Sequence, residues 1–242
     1  MRKYNYGSII LILIVNAIIS GILQNIADSN LSILSGFVAF IFDYIICRGL
    51  LYNREGSFSD YFRGIKTMTG KVFLMNILVG AITVTLILLA TFASGAGFLL
   101  TSYAVNSPKI FISFVVLIAL VTIFTSLLFA YMNFFMADER YRDLPFFDSL
   151  KLILKAGIKL FSESFMAGVE AYKITLICGV VAFISLIFVM KGMEILSILA
   201  IIFGVIAAIA FFFCTPPFRA SLSDIYIDRA EEIYNEVIRR ED

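Results

Sequence analysis

Long apolar runs with almost no charge constrain this chain more than any other feature. The sequence has 242 residues, of which 61% are hydrophobic and 15% are charged, whereas soluble domains average roughly 45–50% apolar and about 25% charged residues. Apolar runs of about 18 residues or more are typical of transmembrane helices, because roughly 20 helical residues cross the hydrocarbon core of a bilayer. The bilayer is therefore expected to be the main solvent of this protein.

The apolar runs predict an all-α fold, a polytopic membrane helical bundle of about six transmembrane helices in one membrane domain over residues 1–242. The predicted spans are residues 8–27, 31–51, 72–94, 109–136, 174–191 and 195–215. The basic, apolar N-terminal segment has no small-residue cleavage motif, so we interpret it as an uncleaved first span. The segment 95–108 contains a break at Gly95 and Gly97 and is expected to be interfacial or re-entrant.

The distribution of Lys and Arg predicts the orientation of the spans. With the N-terminus inside, all but two of the 19 basic residues fall on inner segments or at inner span ends, and the exceptions are Lys109 and Lys191. Cytoplasmic loops of membrane proteins carry such an excess of positive charge. We therefore expect a multi-pass protein of the cell (cytoplasmic) membrane with both termini in the cytoplasm.

Two segments on the predicted cytoplasmic side share an amphipathic pattern. Aligning Asp60 with Asp148 also aligns Arg63 with Lys151 and Lys71 with Lys159. The first copy predicts a helix over 57–70, capped by Ser57 with Asp60 three residues on, and the second predicts a helix over 145–172. Common descent of the two copies and convergence of two interfacial helices both remain open.

Each copy places apolar side chains on one helical face, as helices at a membrane interface do. The face of the first copy consists of Phe58, Tyr61, Phe62, Ile65 and Thr69. The face of the second consists of Phe147, Leu150, Leu154, Ile158, Phe161 and Phe165, opposite Lys151, Lys155 and Lys159. These faces are candidate contacts with lipid or a protein partner. A third amphipathic helix is predicted over 218–240, either docked on the protein itself or binding a partner.

Polar residues inside the predicted spans are the candidate functional site. Asp43 lies in the second span, where a charged group costs several kcal/mol and indicates function by default, and Arg48 five residues on is its predicted partner. Asn16 and Asn133 lie in other spans and are expected to bond between helices or to form a polar pathway with Asp43. Structural pairing and ion or substrate binding both remain open for Asp43.

The quoted segments resemble a known family. The stretch "FMADERYRDLPFFDSLKLILKAGIKLF", the stretch "REGSFSDYFRGIK" and the closing Pro216, Pro217, Phe218, Ala220 and Tyr226 are similar to bacterial six-span proteins of the domain-of-unknown-function 975 family. The YesL-like and glycerophosphodiesterase-associated membrane domains are similar too. This chain has "SGAGFLL" where that family has a P-G-I turn, and it has no Trp. The resemblance implies an inner-membrane protein without an established reaction and transfers no catalytic residue.

The sequence contains none of the common catalytic motifs that would indicate an enzyme class. The sequence has no His, no P-loop and no metalloprotease, hydrolase or kinase signature, and its Cys are not spaced as metal ligands. It predicts no cofactor and no nucleic-acid partner. We therefore favour a non-catalytic scaffold, accessory or immunity-type component that contacts the lipid bilayer and other proteins.

Two alternatives remain open at this point. One is the permease subunit of a transporter, such as an ABC exporter, working with a separate ATPase or another membrane protein. The other is an intramembrane enzyme acting on lipid, with Asp43, Asp138 and Glu139 as its carboxylates. A homo-oligomer is compatible with each of the three functions.

Overall fold

The computed structural model describes residues 2–26, 32–94 and 108–238, and every regular element in these ranges is a helix. The helices are α1 (Tyr6–Ile26), α2 (Ser32–Tyr52), α3 (Phe58–Phe62), a 3₁₀ helix (Arg63–Thr67), α4 (Gly70–Ala93), α5 (Pro108–Leu128), α6 (Met132–Ala137), α7 (Phe146–Lys159), α8 (Phe161–Ala171), α9 (Lys173–Val189) and α10 (Leu196–Val237). The predicted all-α class is confirmed. Of the segment 95–108 that is expected to be interfacial or re-entrant, residues 95–107 lie outside the described residues and Pro108 begins α5.

The described helices include five that are long and apolar enough to cross a membrane. They cover Tyr6–Asn25, Ser35–Tyr52, Gly70–Ala93, Ile110–Ala137 and Leu196–Val237. A sixth span is obtained if α8 and α9, which meet at a bend of 73°, are counted as one. The described chain therefore has the helices of a multi-pass membrane bundle, five of them, or six with the bent pair counted as one span, where the hydropathy pattern predicts about six.

Compact packing divides the chain into two units. One consists of Met1–Asn76, Leu128–Ala167 and Thr215–Asp242, and the other consists of Ile77–Leu127 and Gly168–Cys214. Each unit draws on segments from both halves of the sequence. Neither unit is therefore a contiguous stretch of chain.

The unit of Ile77–Leu127 and Gly168–Cys214 exposes large apolar side chains. Leu89 is 60% exposed, Phe92 is 68% exposed and Ile201 is 65% exposed. Burying such a side chain is worth about 1.5–3 kcal/mol relative to exposing it to water. Many exposed side chains of this kind on long helices are consistent with a lipid environment.

The other unit has a protein-like core built from aromatic residues. Tyr61, Tyr131, Phe134 and Tyr226 are each fully buried. The ring of Tyr226 stacks on that of Phe134 with centroids 5.4 Å apart and meets that of Phe135 edge-on at 4.8 Å. This core joins α6 to the end of α10, and the polar candidate residues lie around it.

The fourth predicted span is interrupted. A turn at 129–131 separates α5 from α6, and the Met132 amide donates to the Phe129 carbonyl at 3.0 Å. Gly157 of α7 lies against the carbonyl of Leu128 at this break, so close that an added Cβ would stand 1.9 Å from the Leu128 oxygen. The 28-residue apolar stretch is thus two helices rather than the one that its composition suggests.

The first amphipathic copy is shorter than predicted. A helix over 57–70 is expected, but α3 ends at Phe62 and the chain continues as a 3₁₀ helix to Thr67. Gly64 lowers helix propensity, and the Thr67 hydroxyl donates to the Gly64 carbonyl at 2.7 Å, which competes with the regular helical pattern. The predicted cap is confirmed, since Asp60 accepts from the Ser57 amide at 2.9 Å.

The second copy of the pattern forms two helices, and the predicted amphipathic helix 218–240 is not separate from the last span. Leu160 interrupts the predicted helix 145–172 between α7 and α8. The predicted break before 218 is wrong, because α10 runs without interruption through Pro216 and Pro217. These prolines remove only two amide donors, and membrane helices tolerate proline where neighbouring groups compensate.

Candidate functional site

Four polar side chains from four helices meet within or at the edges of the apolar stretches and form what we call the Asp43 cluster. The Asp43 carboxylate of α2 forms an ion pair with Arg219 of α10. It also accepts a hydrogen bond from the Asn133 side-chain amide of α6 at 2.6 Å. Asn76 of α4 donates in turn to the Asn133 side-chain oxygen at 3.3 Å. The cluster consists of Asp43, Asn76, Asn133 and Arg219.

The predicted pairing of Asp43 with Arg48 is wrong. Residues five apart in a helix lie about 140° apart around its axis, so they face different neighbours. Arg48 instead donates to the Ala137 carbonyl at the end of α6 and to the Glu139 carboxylate, both at 3.0 Å. The cationic Arg48 thereby occupies the negative end of the α6 dipole.

Within the described part of the chain, Asn16 forms no hydrogen bond with the Asp43 cluster. Its side-chain oxygen accepts a weak hydrogen bond from the Ser20 hydroxyl at 3.4 Å, one turn further along α1. Of the four predicted polar residues, the structure therefore brings together Asp43 and Asn133. It adds Asn76 and Arg219, which were not predicted.

In the Asp43 cluster, the Arg219 guanidinium neutralises the negative charge of the Asp43 carboxylate. Asp43 and Arg219 each have a side chain that is 26% exposed, so water screens the pair only in part. Their opposite charges cancel, and Asn133 supplies a further hydrogen bond to the carboxylate. The cluster can hold four helices together, and an incoming cation would have to compete with Arg219.

A second cluster surrounds Asp138, which is 2% exposed. Its carboxylate accepts from the Arg140 guanidinium at 2.8 Å, from the Tyr226 hydroxyl at 3.0 Å and from the Tyr52 hydroxyl at 3.4 Å. The Tyr52 oxygen accepts from the Glu139 amide at 2.9 Å. This Asp138 cluster ties α2 and α10 to the loop that follows α6.

Burial of Asp138 acts to raise its pKa, but the hydrogen bonds and positive charge of Arg140 outweigh it and hold the pKa below the ordinary value of 3.8. A carboxylate with a lowered pKa stabilises the fold above the pKa of the unfolded chain and loses that contribution as the pH falls. We expect wild-type stability in detergent to drop below pH 3.8 and an Asp138→Asn variant to lack this component. The difference between the melting temperatures of the two proteins as a function of pH measures the contribution of the Asp138 carboxylate. Parallel curves would show that the carboxylate makes no such contribution.

Lys71 organises the loop between α6 and α7. Its ammonium donates to the carbonyls of Arg142 and Leu144 at 2.6 and 2.7 Å and to the Ser149 hydroxyl at 2.9 Å. The aligned Lys159 instead forms ion pairs with Glu232 and Glu236 at 2.9 and 2.6 Å. The two copies of the amphipathic pattern thus place equivalent lysines in different environments.

The two faces of α7 have different surroundings. Residues Ser149, Leu152, Ile153, Ala156 and Gly157 are buried against the protein. The predicted apolar face points away from them: Phe147 is 74% exposed and Ile158 is 66% exposed, while Leu150, Leu154 and Phe161 are partly exposed. The predicted face of the second copy is therefore an outer surface.

The predicted face of the first copy is mostly an internal contact. Tyr61 is fully buried, and a Cβ added to Gly49 would lie 2.0 Å from its ring. Phe62 packs edge-on against Phe42 at 5.9 Å and also touches Phe58 at 5.3 Å. Ile65 is 39% exposed. As a correction, Tyr61 is a docking residue within the chain rather than a contact for a partner.

The end of α10 is docked on the protein by charged pairs. Arg2 reaches Asp224 and Asp228 at 2.8 and 2.6 Å, and Lys159 holds Glu232 and Glu236. Of the two interpretations of this segment, docking on the protein itself agrees with these contacts.

The sequence contained one signal that could have identified Asn76 and Arg219 as members of the Asp43 cluster. Each is a polar residue at the edge of a long apolar run.

Comparisons with protein-family models, curated proteins and solved structures found no match for this chain. Within the described residues, no three Cys, Asp or Glu side chains are grouped so that they could hold a metal ion.

Proposed function

We propose that this protein is a non-catalytic, multi-pass component of the cell membrane that acts by contact with lipid and other proteins, with both termini in the cytoplasm. The Asp43 cluster carries the proposal. A carboxylate within a span is expensive unless it is paired. Here Arg219 and Asn133 from two other helices contact Asp43, and Asn76 from a third helix bonds to Asn133. This arrangement supports a role in fixing the helices of a scaffold.

The charge distribution supports the proposed orientation. The basic residues of the Asp138 loop and of α7 fall on the side that the Lys and Arg excess assigns to the cytoplasm. The resemblance to the domain-of-unknown-function 975 family supports an inner-membrane location in the same way. On this orientation, the outer face of α7 is presented at the cytoplasmic surface.

A permease subunit is the second candidate, and the exposed face of α7 favours it. Phe147 at 74% exposure and Ile158 at 66% are apolar anchors of the kind that an amphipathic helix inserts into a partner's groove. A separate ATPase could bind there. The alternative of a lipid-acting enzyme is disfavoured, because the Asp138 carboxylate is already engaged by Arg140 and Tyr226.

Native mass spectrometry of the complex extracted in gentle detergent tests the proposal. Wild type is compared with Phe147→Ser/Ile158→Ser, which changes the contact face, and with Asp43→Asn/Arg219→Gln, which removes both charges of the pair. We expect bound lipid or protein with wild type and the charge-free variant, and at least a severalfold loss with the α7 variant.

Two results would contradict the contact role. One is a stoichiometric ATPase whose ATP hydrolysis requires Asp43, which would establish a transporter. The other is a natively extracted protein that carries neither lipid nor protein in repeated preparations.

A further inference from the structure

The 3₁₀ helix Arg63–Thr67 separates its residues into three rows, because residues three apart eclipse one another in this type of helix. Gly64 and Thr67 form the inner row. Gly64 is buried beside the Arg48 side chain of α2. The Tyr44 hydroxyl, also from α2, donates to the Thr67 carbonyl at 3.3 Å. One side of the 3₁₀ helix is therefore fixed against α2, and the other two rows face outward.

The two outward rows are a pair of cations and an apolar row. Arg63 and Lys66 lie three residues apart and form what we call the cationic ridge. The Arg63 side chain is 76% exposed, and Lys66 is exposed as well. At a rise of about 2.0 Å per residue, the two residues lie about 6 Å apart along the helix axis. Ile65 in the apolar row is 39% exposed, so two like charges border an accessible apolar side chain.

The charge of the cationic ridge is only partly balanced within the protein. One Arg63 nitrogen lies 3.5 Å from the Asp60 carboxylate, which is longer than the roughly 2.7–2.9 Å of a charge-assisted hydrogen bond. That carboxylate accepts instead from the Ser57 amide and hydroxyl at 2.9 and 2.7 Å. Within the described part of the chain, the Lys66 ammonium forms no ion pair or hydrogen bond. Like charges at neighbouring helical positions repel, so an anion that contacts both side chains would stabilise the ridge.

The position of the ridge next to a candidate span selects lipid as the source of the anion. α4 is long and apolar enough to cross a membrane, and it begins at Gly70, three residues after the 3₁₀ helix ends. Its 24 residues extend about 36 Å, compared with about 30 Å of hydrocarbon, so the Gly70 end reaches the headgroup layer. Consecutive Cα atoms are about 3.8 Å apart, which places Lys66 within about 15 Å of Gly70.

We infer that the cationic ridge of Arg63 and Lys66 binds the headgroup phosphate of an anionic phospholipid in the membrane around the start of α4. A guanidinium has five N–H donors, so the contact with Asp60 leaves Arg63 able to donate to a phosphate as well. A zwitterionic headgroup would bring its own cation toward the two cations of the ridge, which favours a lipid with net negative charge. This inference rests on the proposed membrane-contact function and specifies its lipid partner.

The absence of tryptophan from the sequence makes a direct test available. Ile65→Trp introduces a single fluorophore beside the ridge, and Leu89→Trp introduces one on a side chain of α4 that is 60% exposed. Phe62→Trp provides a second fluorophore in the apolar row if Ile65→Trp does not fold. Each full-length variant is reconstituted in phosphatidylcholine bilayers that contain phosphatidylglycerol, and one of the two lipids at a time carries bromine near the headgroup end of its acyl chains. Quenching per mole fraction of brominated lipid reports which lipid lies beside the fluorophore.

At position 65, we expect quenching by brominated phosphatidylglycerol to exceed that by brominated phosphatidylcholine about threefold or more. At position 89, the two lipids should quench equally. Adding Lys66→Gln should lower the ratio at 65, and adding Arg63→Gln as well should bring it close to one. The matched control Lys155→Gln removes the same charge from an exposed position of α7 on the same side in the proposed topology, and it should leave the ratio unchanged.

Each remaining outcome overturns a defined part of the account. Equal quenching at 65 by the two lipids, or no quenching there with normal quenching at 89, contradicts the inference alone. An equal fall of the ratio with Lys66→Gln and with Lys155→Gln would show that the general positive charge, not the ridge, attracts the lipid. A ratio that falls when excess inorganic phosphate is added at constant ionic strength would assign the ridge to soluble phosphate. Failure of quenching at 89 as well would contradict the membrane-embedded function itself.

Discussion

Replacement of Gly157 by alanine is expected to destabilise the protein by about 3 kcal/mol, the cost of overpacking a contact that cannot relax. The new Cβ would stand 1.9 Å from the carbonyl oxygen of Leu128, which is backbone and cannot rotate away. Alanine favours helix by up to about 1 kcal/mol over glycine, so this gain does not offset the clash. α7 must therefore move away from the turn at 129–131.

Glycines elsewhere provide matched controls for this prediction. A Cβ added at Gly179 or Gly204 meets no atom within 4 Å, so Gly179→Ala and Gly204→Ala should leave stability unchanged or raise it slightly. Thermal unfolding in detergent, followed by the loss of the monodisperse peak in size-exclusion chromatography, compares the three variants. An unchanged melting temperature for Gly157→Ala would show that α7 does not pack on Leu128 as described.

Neutralising one member of the Asp43–Arg219 pair is expected to cost about 2 kcal/mol. Breaking a buried pair leaves an unpaired charge and costs about 3–5 kcal/mol, but both side chains here are 26% exposed, and screening reduces that figure. Asp43→Asn leaves Arg219 without its countercharge, and Arg219→Gln leaves Asp43 with the Asn133 amide alone.

The double variant Asp43→Asn/Arg219→Gln distinguishes the loss of the ion pair from a general loss of stability caused by each substitution. Removing both charges should recover a large part of the lost stability, because no uncompensated ion remains. The same cycle on Arg48 and Glu139 is the control, and it should show a smaller coupling because the Glu139 side chain is 57% exposed. If thermal unfolding shows that the stability losses of the two single variants simply add in the double variant, the result would contradict an ion pair between Asp43 and Arg219.

The positions of the spans could be predicted because hydropathy is a local property. The run 72–94 corresponds to Gly70–Ala93, and the run 174–191 corresponds to Lys173–Val189. The ends differ by a few residues, since apolar composition does not mark where a helix stops. The continuous α10 was missed for a related reason: a proline pair usually ends a helix in water, and its surroundings decide whether it does so in a bundle.

The partners of the polar residues could not be predicted, because they depend on the packing of distant segments. Arg48 is near Asp43 in sequence, but helical geometry turns it toward Glu139. Arg219 lies 176 residues from Asp43 in the sequence, and only the folding of the chain brings the two side chains together. In the same way, the sequence shows that the first copy is amphipathic, but not that the Tyr61 ring packs closely against Gly49.

In the proposed topology, the chain spans the cell membrane with its basic segments on the cytoplasmic side. Cysteine labelling in sealed cells tests it most directly, with Cys47, Cys178 and Cys214 replaced and one new cysteine at Lys66, Lys155 or Lys191. The account predicts that a membrane-impermeant maleimide reacts with Lys191→Cys in intact cells and with Lys66→Cys and Lys155→Cys only after permeabilisation. Labelling of Lys66→Cys or Lys155→Cys in intact cells would contradict it.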